Sequence, residues 1–209
     1  STAFAQMGEL TNEVDWIHSG SQKPTGDATF ENGIYTYEGS GSDIAGNNDE
    51  GFFVYVAKEG SWQISGKFHW LEAEQAFARC GLMVRANDSA SATNYFASIR
   101  NELVTTWAGF RLEEGGTTNW FQYRTPDGEP AASPEDGLWL RLTRIAAEDM
   151  VVVEQSTDGS NWFIVHQREL VLPETALYGI AIKSHSQETN AKAEVSDLQL
   201  NQAPPFGKR

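Results

Sequence analysis

The chain has 209 residues, and its 29 Asp and Glu against 15 Lys and Arg give a formal net charge of −14. A duplex-binding protein needs a basic footprint that neutralises phosphates, so this balance argues against nucleic acid as a partner and against docking on an anionic membrane surface. No run approaches the ~20 apolar residues of a membrane span, so membrane insertion is not expected. The acidic surplus favours solubility and is common in proteins of extracellular or salty surroundings.

Short segments in which apolar and polar residues alternate dominate the sequence, and no 3.6-residue periodicity persists. Segments rich in Gly, Asn, Asp and Ser separate them. Twelve β-strands are predicted, near residues 33–38, 51–57, 62–70, 81–86, 95–101, 105–112, 119–125, 138–145, 150–156, 162–167, 177–184 and 192–200. Strands this short and this evenly spaced indicate an all-β fold of two packed antiparallel sheets, a jelly-roll sandwich.

Turn signals fit this architecture. The Asp158-Gly159 pair predicts a hairpin turn with positive φ, and Glu113 to Gly116 predicts another. No linker or repeat divides the chain, so residues 1–202 are predicted to form one domain. Residues 203–209, with two prolines, are expected to be a tail or a linker to another domain of a larger secreted protein. The first residues do not read as a signal peptide and suit a processed mature end.

Cys80 is the only cysteine, which excludes an internal disulfide and a thiolate metal cluster. Apolar neighbours surround it in the segment ARCGLMVR, so a small buried hydrophobic side chain is expected rather than a reactive thiol.

Four arginines recur at intervals of 11 to 15 residues, each on a predicted strand. Strand side chains alternate between faces, so these arginines share the face opposite the core if their apolar neighbours mark that core. Aromatic and polar side chains join them there. The predicted ligand-binding residues are Arg85, Phe96, Arg100, Trp107, Arg111, Trp120, Gln122, Arg124, Lys183 and His185.

The chemistry of this face suits a sugar polymer, and its cations suit an anionic one. Indole rings offer large apolar faces with one polar edge, and guanidinium groups bind carboxylate or sulfate. The alternative is that arginine stems merely cover apolar sheet surface and pair with glutamates across strands. A one-residue bulge would also reverse the assignment of faces.

The acidic loop from Asp43 to Glu50 is a candidate calcium site, with Asp43, Asn47 and Asp49 as the expected ligands. Calcium is a hard cation that takes six to eight oxygen ligands, although the spacing here is not that of an EF-hand. The alternative is an Asx-rich turn held by local side-chain bonds to the backbone.

Four segments in order resemble the concanavalin A-like lectin/glucanase superfamily. They are GSGSDIAGNNDEGFFVY (39–55), CGLMVRAND (80–88), WLRLTR (139–144) with STDGSNW (156–162), and YGIAIKSH (178–185). The closest branch is the LamG-like domain labelled "regulation of enolase". The resemblance implies a jelly roll whose concave sheet face is the usual place for glycan, and modules of this kind accompany secreted carbohydrate-active enzymes and surface proteins.

The resemblance also bears on individual residues. It makes Asp43 and Asp49 family-pattern positions, and it suggests a structural ion near Glu9 or Asp197. Most of the matching motifs are structural: Leu140 and Leu142 are expected in the core, and Trp162 is expected to pack beyond the Asp158-Gly159 turn. The short Glu-x-Asp-x-x-Glu strand of the glucanase branch is absent from this chain.

Catalysis has little support in the sequence. A glycosidase needs two carboxylates about 5 to 9 Å apart, and Glu72 with Glu74 is expected in solvent at a strand end. A polysaccharide lyase would use a Tyr or His base with Arg or Gln neutralising the uronate. Residues of these types are present, but the Gln-Ile-His string of alginate lyases is absent. The residues concerned are Tyr95, Arg100, Gln122, Tyr123, Arg124 and His185.

The sequence therefore favours a secreted, periplasmic or cell-surface domain that binds carbohydrate without changing it. Two alternatives remain open. One is a polysaccharide lyase or glycoside hydrolase that uses the same sheet face. The other is a structural or adhesive subunit that assembles through sheet edges or through an extended N-terminus over residues 1–10.

Overall fold

The computed structural model of the chain describes residues 10–16, 25–133 and 135–204. Within these residues the strands, numbered β1 to β16 in chain order, form two seven-stranded sheets and one small hairpin, and every pairing is antiparallel. The predicted two-sheet sandwich is confirmed. No helix among these residues is long and apolar enough to cross a bilayer.

We call one sheet the front sheet and the other the back sheet. The front sheet has the spatial order β1 (Asn12–Trp16), β6 (Gly51–Glu59), β15 (Thr175–Lys183), β8 (Arg79–Arg85), β9 (Asn94–Arg100), β10 (Thr106–Arg111) and β11 (Asn119–Gln122). The back sheet has the order β14 (Phe163–Glu169), β13 (Met150–Ser156), β12 (Leu138–Ile145), β7 (Trp62–Glu72), β16 (Ser186–Gln202), β3 (Ile34–Gly41) and β2 (Asp27–Glu31). The hairpin consists of β4 (Ile44–Ala45) and β5 (Asn48–Asp49).

All twelve predicted strands have a counterpart, while β1, β2 and the β4–β5 hairpin were not predicted. The short strands β1 and β2 lie at sheet edges, and their exposed side chains lack the alternation that marks a half-buried strand. Strand β16 begins at Ser186, earlier than expected, because a bulge separates its first pairing with β3 from the rest.

The main core lies between the sheets and follows from alternation along the strands. On β12, Leu138, Leu140 and Leu142 are fully buried against the facing sheet. Cys80 is buried in the same core, as the sequence predicted, and burial raises the pKa of its thiol.

The predicted turn at Asp158-Gly159 is confirmed. Gly159 has φ +74, and the Asp158 carboxylate accepts backbone hydrogen bonds from Ser160 and Asn161 at 2.8 Å. These bonds, with one from the Asn161 side chain, hold the pKa of Asp158 well below its usual range. Beyond the turn, Trp162 donates to the Gly159 carbonyl at 3.1 Å. The STDGSNW motif therefore serves to close the β13–β14 hairpin.

Candidate ligand-binding face

The outer face of the front sheet carries a second buried cluster, separate from the core between the sheets. On β8, Leu82 and Val84 point into the main core, while Met83 and Arg85 lie on the outer face. The face assignment predicted for β8, β9 and β10 is thus confirmed. The buried apolar members of the outer cluster are Trp16, Ile44, Phe53, Met83, Phe96 and Ala181.

At one end of this face, Asp49 of the β4–β5 hairpin binds two of the predicted arginines. Its carboxylate oxygens lie 2.6 Å from Arg85 Nη1 and 2.6 Å from Arg111 Nη2. Asn94 donates to the same carboxylate at 3.2 Å. Arg111 also donates to the carbonyl of Gly46 at 3.2 Å, and both guanidinium groups are fully buried.

Arg85 and Arg111 are therefore structural, which corrects their predicted role in binding a ligand. Burying a charge costs several kcal/mol unless it is paired and hydrogen-bonded, and here Asp49 and backbone carbonyls satisfy both side chains. Burial lowers the pKa of Arg85, and the Asp49 charge opposes that shift. These two arginines fasten the hairpin to the sheet.

The same contacts bear on the calcium prediction. Both Asp49 oxygens are engaged by guanidinium groups, so Asp49 is not available as a calcium ligand in this arrangement. Asp43 pairs instead with Lys183, and Asn47 accepts a hydrogen bond from Asn48. No group of three or more His, Cys, Asp or Glu side chains within the described part of the chain is arranged to hold an ion. Calcium binding by this loop remains a prediction, and in this arrangement it would have to use Asp43 and Asn47 rather than Asp49.

The other position considered for an ion was near Glu9 or Asp197. No group of ion-binding side chains is found around Asp197 among the described residues. Asp197 lies exposed at a bulge of β16 with φ +51. Glu9 and the predicted extended N-terminus up to residue 9 lie outside the described residues.

At the other end of the same strands, three cations form what we call the cation row: Lys183, Arg79 and Arg100. Lys183 is directly opposite Arg79 across β15 and β8, and Arg79 is directly opposite Arg100 across β8 and β9. Like charges opposite each other destabilise a sheet. All three side chains are buried. Such an arrangement at one edge of a sheet face suits a site for a negatively charged group.

Aromatic rings enclose the cation row. The Arg79 guanidinium lies 3.9 Å from the centre of the Trp120 ring and 4.5 Å from that of Trp107. The Arg100 guanidinium lies 4.1 Å from the Phe77 ring, which is 50% exposed. Trp120 can lie flat because it covers Gly109, where a Cβ atom would come within 2.7 Å of the indole. Cation–π contacts of this kind hold both partners in place.

Among the described residues, Asp43 is the carboxylate that forms an ion pair with the row. Its Oδ1 lies 2.9 Å from Lys183 Nζ, and its side chain is 39% exposed. His185 Nδ1 lies 3.0 Å from the same Nζ, and its ring contacts Phe77 at 5.4 Å. Burial lowers the pKa of His185 and the Lys183 charge adds to this, so the imidazole is neutral at pH 7.

The electrostatics of the row reflect an excess of positive charge. Burial, with smaller contributions from the Arg79 and Arg100 charges, lowers the pKa of Lys183 to about 8 against the opposing effect of Asp43. Burial, with the Arg100 charge, likewise lowers the pKa of Arg79 to about 10 against the effect of Asp43. A second anion beside these groups would therefore stabilise their charged forms.

Three hydrogen-bond donors of this cluster have no acceptor among the described residues. They are Nε and Nη1 of Arg79 and Nε1 of Trp107, and all three atoms are buried. Arg79 as a whole is only 7% exposed. A buried donor without an acceptor costs about 1–3 kcal/mol, and more if it is charged, so such groups call for an explanation.

The remaining predicted residues are distributed unevenly around this cluster. Phe96 is buried edge-on against Trp120 at 6.4 Å, and Gln122 pairs with Trp107 across β10 and β11. Arg124 lies exposed beyond the end of β11 and apart from the row. Of the predicted ligand-binding residues, the structure gathers Arg100, Trp107, Trp120, Lys183 and His185 around Arg79.

Arg79 and Phe77 were missed by the sequence reasoning. Arg79 precedes the predicted start of its strand at residue 81, yet it has the same parity as Met83 and Arg85. Extending the strand by two residues would have placed it on the outer face. Phe77 lies in a segment without strand pattern and gave no signal.

Of the side chains considered as a lyase base, His185 lies on this face near Arg100, whereas the two Tyr side chains do not. Tyr95 is buried between the sheets, where its hydroxyl is hydrogen-bonded to His166 Nδ1. Tyr123 packs against the same core. The Tyr side chains considered as bases therefore lie on the opposite side of the front sheet from Arg100 and His185.

No family model and no curated protein matches the sequence. Solved structures do match the fold. A functionally unknown protein from Saccharomyces cerevisiae has a TM-score of 0.70 at 18% identity, with 95% of this chain and 100% of that chain covered. The carbohydrate-binding module CBM66 from Bacillus subtilis has a TM-score of 0.58 at 11% identity, covering 85% and 92%. The metal-free lectin I-B4 from Griffonia simplicifolia has a TM-score of 0.52 at 10% identity, covering 86% and 92%. These likenesses show the fold, a two-sheet antiparallel jelly roll.

Proposed function

We propose that this protein binds carbohydrate on the outer face of the front sheet and leaves it chemically unchanged. The observation that carries the proposal is the cluster of Trp107, Trp120 and Phe77 around the cation row. Aromatic faces beside a few fixed polar groups are the usual makeup of a small-molecule site. The likeness in fold to a lectin and a carbohydrate-binding module supports the same function.

The wider setting belongs to the same proposal. The protein is a concanavalin A-like domain of the "regulation of enolase" branch that works in a secreted, periplasmic or cell-surface location. The part of the chain that the structure describes belongs to a single domain. The acidic composition, with a net charge of −14, supports an extracellular setting.

A glycan array that contains neutral, uronate-bearing and sulfated sugars tests binding, and a second array with chelator tests calcium. We expect binding to at least one sugar class. Absence of binding to every class would overturn the proposal. Incubating the bound sugars with the protein and assaying unsaturated products or new reducing ends separates binding from catalysis, because a non-catalytic domain produces neither.

A pair of phenylalanine variants locates the binding face. Phe77 on the outer face is 50% exposed, and Phe163 on the back sheet is 42% exposed. Phe77→Ala removes an aromatic face beside Arg100 and is expected to weaken sugar binding about tenfold. Phe163→Ala removes a side chain of the same type and similar exposure, and it should leave the affinity unchanged. Equal effects of the two variants would place the sugar elsewhere.

A further inference from the structure

The unpartnered donors around Arg79 indicate what the sugar must carry. All three are N–H groups, and together they need oxygen acceptors rather than donors. A neutral hydroxyl could accept one such bond, but it would leave the charge of the row unbalanced. An acidic group supplies several acceptor lone pairs and the negative charge together.

The charge of the cluster leads to the same conclusion. Lys183, Arg79 and Arg100 are adjacent in the row, and Asp43 is the carboxylate that pairs with it. Arg85 and Arg111, the other buried arginines of this face, share the buried carboxylate of Asp49. The three cations of the row have only the partly exposed Asp43 as a counter-ion among the described residues. Buried charges are retained where they are paired, so the row has room for one more negative charge.

Exposed side chains border the buried row on one side. Phe77 is 50% exposed, the Asp43 side chain is 39% exposed, and His185 is also exposed. Lys183, Arg79 and Arg100 are themselves buried, so an acidic group has to displace some of these bordering side chains to reach their N–H groups. Asp43 shows that a carboxylate fits at 2.9 Å from Lys183 Nζ.

We infer that the cation row is a subsite for a single acidic group of the sugar, a carboxylate or a sulfate ester, which is bound by Arg79 with Lys183 and Arg100 and shares them with Asp43. The inference rests on the proposed function, because the acidic group is taken to belong to the bound sugar. Trp107 contributes its indole N–H, and Trp120 holds the Arg79 guanidinium flat. Arg85 and Arg111 take no part, since Asp49 already satisfies them.

The test compares sugars that differ only in the acidic group. Calorimetry at pH 7 measures affinity for an oligogalacturonate and for its full methyl ester, and in a second arm for a sulfated galactan oligosaccharide and its desulfated form. We expect the acid of at least one pair to bind about ten- to a hundredfold more tightly than its neutral counterpart. The arm that shows the difference identifies the group as carboxylate or sulfate.

The outcomes separate the two levels of the hypothesis. If no sugar of any kind binds, here or on the array, the proposed function fails. If sugars bind but acid and neutral forms bind equally in both arms, the function stands and the acidic subsite is overturned. Equal binding of the acid and neutral sugars is also the result expected if ordered water, rather than an acidic group, accepts the hydrogen bonds of Arg79.

Variants assign the preference to the row. Arg79→Met keeps an apolar chain between the two indoles and should abolish the preference for the acid over its neutral counterpart. The matched control is Arg141→Met on the back sheet, where the guanidinium lies 4.1 Å from the Trp162 ring. The control should keep the full preference.

A second variant, Lys183→Met, keeps the inference testable if Arg79→Met does not fold. Lys183→Met is expected to reduce the preference for the acid by about tenfold or more, and thermal melts report whether each variant is folded. A folded variant at either position that keeps the wild-type preference would overturn the assignment.

Discussion

Two aspartates six residues apart on the β4–β5 segment show how environment decides the role of a carboxylate. Asp49 is buried, and both of its oxygens are occupied by guanidinium groups of Arg85 and Arg111. Asp43 is partly exposed and faces three cations with one charge. The first fixes the structure of the face, and the second leaves a charge imbalance in which an anionic group can bind.

The role of Asp49 predicts a large loss of stability on substitution. Asp49→Asn keeps the size of the side chain but leaves two buried guanidinium groups without a carboxylate, so the free energy of unfolding should fall by about 3–5 kcal/mol. Urea denaturation at pH 7 measures the change.

The control for Asp49→Asn is Glu154→Gln, which breaks the Arg141–Glu154 pair. That pair has N–O distances of 2.7 Å, but its side chains are 22% and 14% exposed. Water can replace the lost contacts there, so the cost should be about 1 kcal/mol or less. If both variants lost the same unfolding free energy, the ion pairs of Asp49 with Arg85 and Arg111 would contribute no more to stability than a partly exposed pair.

Lys183 predicts a pH dependence of stability. Its pKa is about 8 in the folded protein, because burial, Arg79 and Arg100 outweigh Asp43, and about 10.4 in the unfolded chain. Between these values the unfolded state binds more protons, so Lys183 makes stability rise with pH in this window. His185, the other titratable neighbour, has a lowered pKa and is already neutral there.

The measurement is the difference in unfolding free energy between the native protein and Lys183→Met at several pH values from about 7 to 10. Other titrating groups are common to both proteins and cancel. The native protein should gain relative to the variant as the pH rises through this range. A constant difference, or a falling one, would show that Lys183 does not carry a depressed pKa.

At the level of elements, alternation in the sequence was sufficient to predict most strands and their faces. On β8, β9 and β10 every second residue, apart from Thr106, is apolar and enters the main core, so the positions of the outer residues can be predicted from each strand alone. Cross-strand register then places Lys183 and Arg100 on either side of Arg79 in the cation row. Trp107 and Trp120 were placed on the correct face for the same reason.

What the sequence could not predict depends on contacts between distant segments. The β4–β5 hairpin has strands of two residues and no alternation, and its position is set by hydrogen bonds from Asp49 N to Ala90 O at 2.9 Å and from Thr118 N to Gly46 O at 2.8 Å. Through Asp49 the hairpin engages Arg85 and Arg111, which therefore have a structural role. Arg79 was missed because strand ends are the least certain part of a sequence-based assignment.

At the level of the whole molecule, a net charge of −14 and a buried cation row have opposite effects on an acidic polysaccharide. The net charge repels a polyanion at distances of the order of the Debye length, about 10 Å at 0.1 M salt. The row attracts an acidic group only at contact, where water is excluded and screening is weak. The net charge therefore slows the approach of an acidic polysaccharide, while the cation row stabilises the complex once contact is made.

This opposition predicts an unusual salt dependence of the binding rates. Raising the salt from about 0.02 M to about 0.2 M shortens the Debye length and weakens the repulsion, so the association rate for a uronate polymer should rise several-fold. An electropositive binding surface would show the reverse. Surface plasmon resonance with the polymer immobilised measures the rate, and the methyl-esterified polymer, which carries no charge, should show no change. An association rate that falls with salt would mean that the local field of Lys183, Arg79 and Arg100 reaches beyond the surface and governs approach as well as contact.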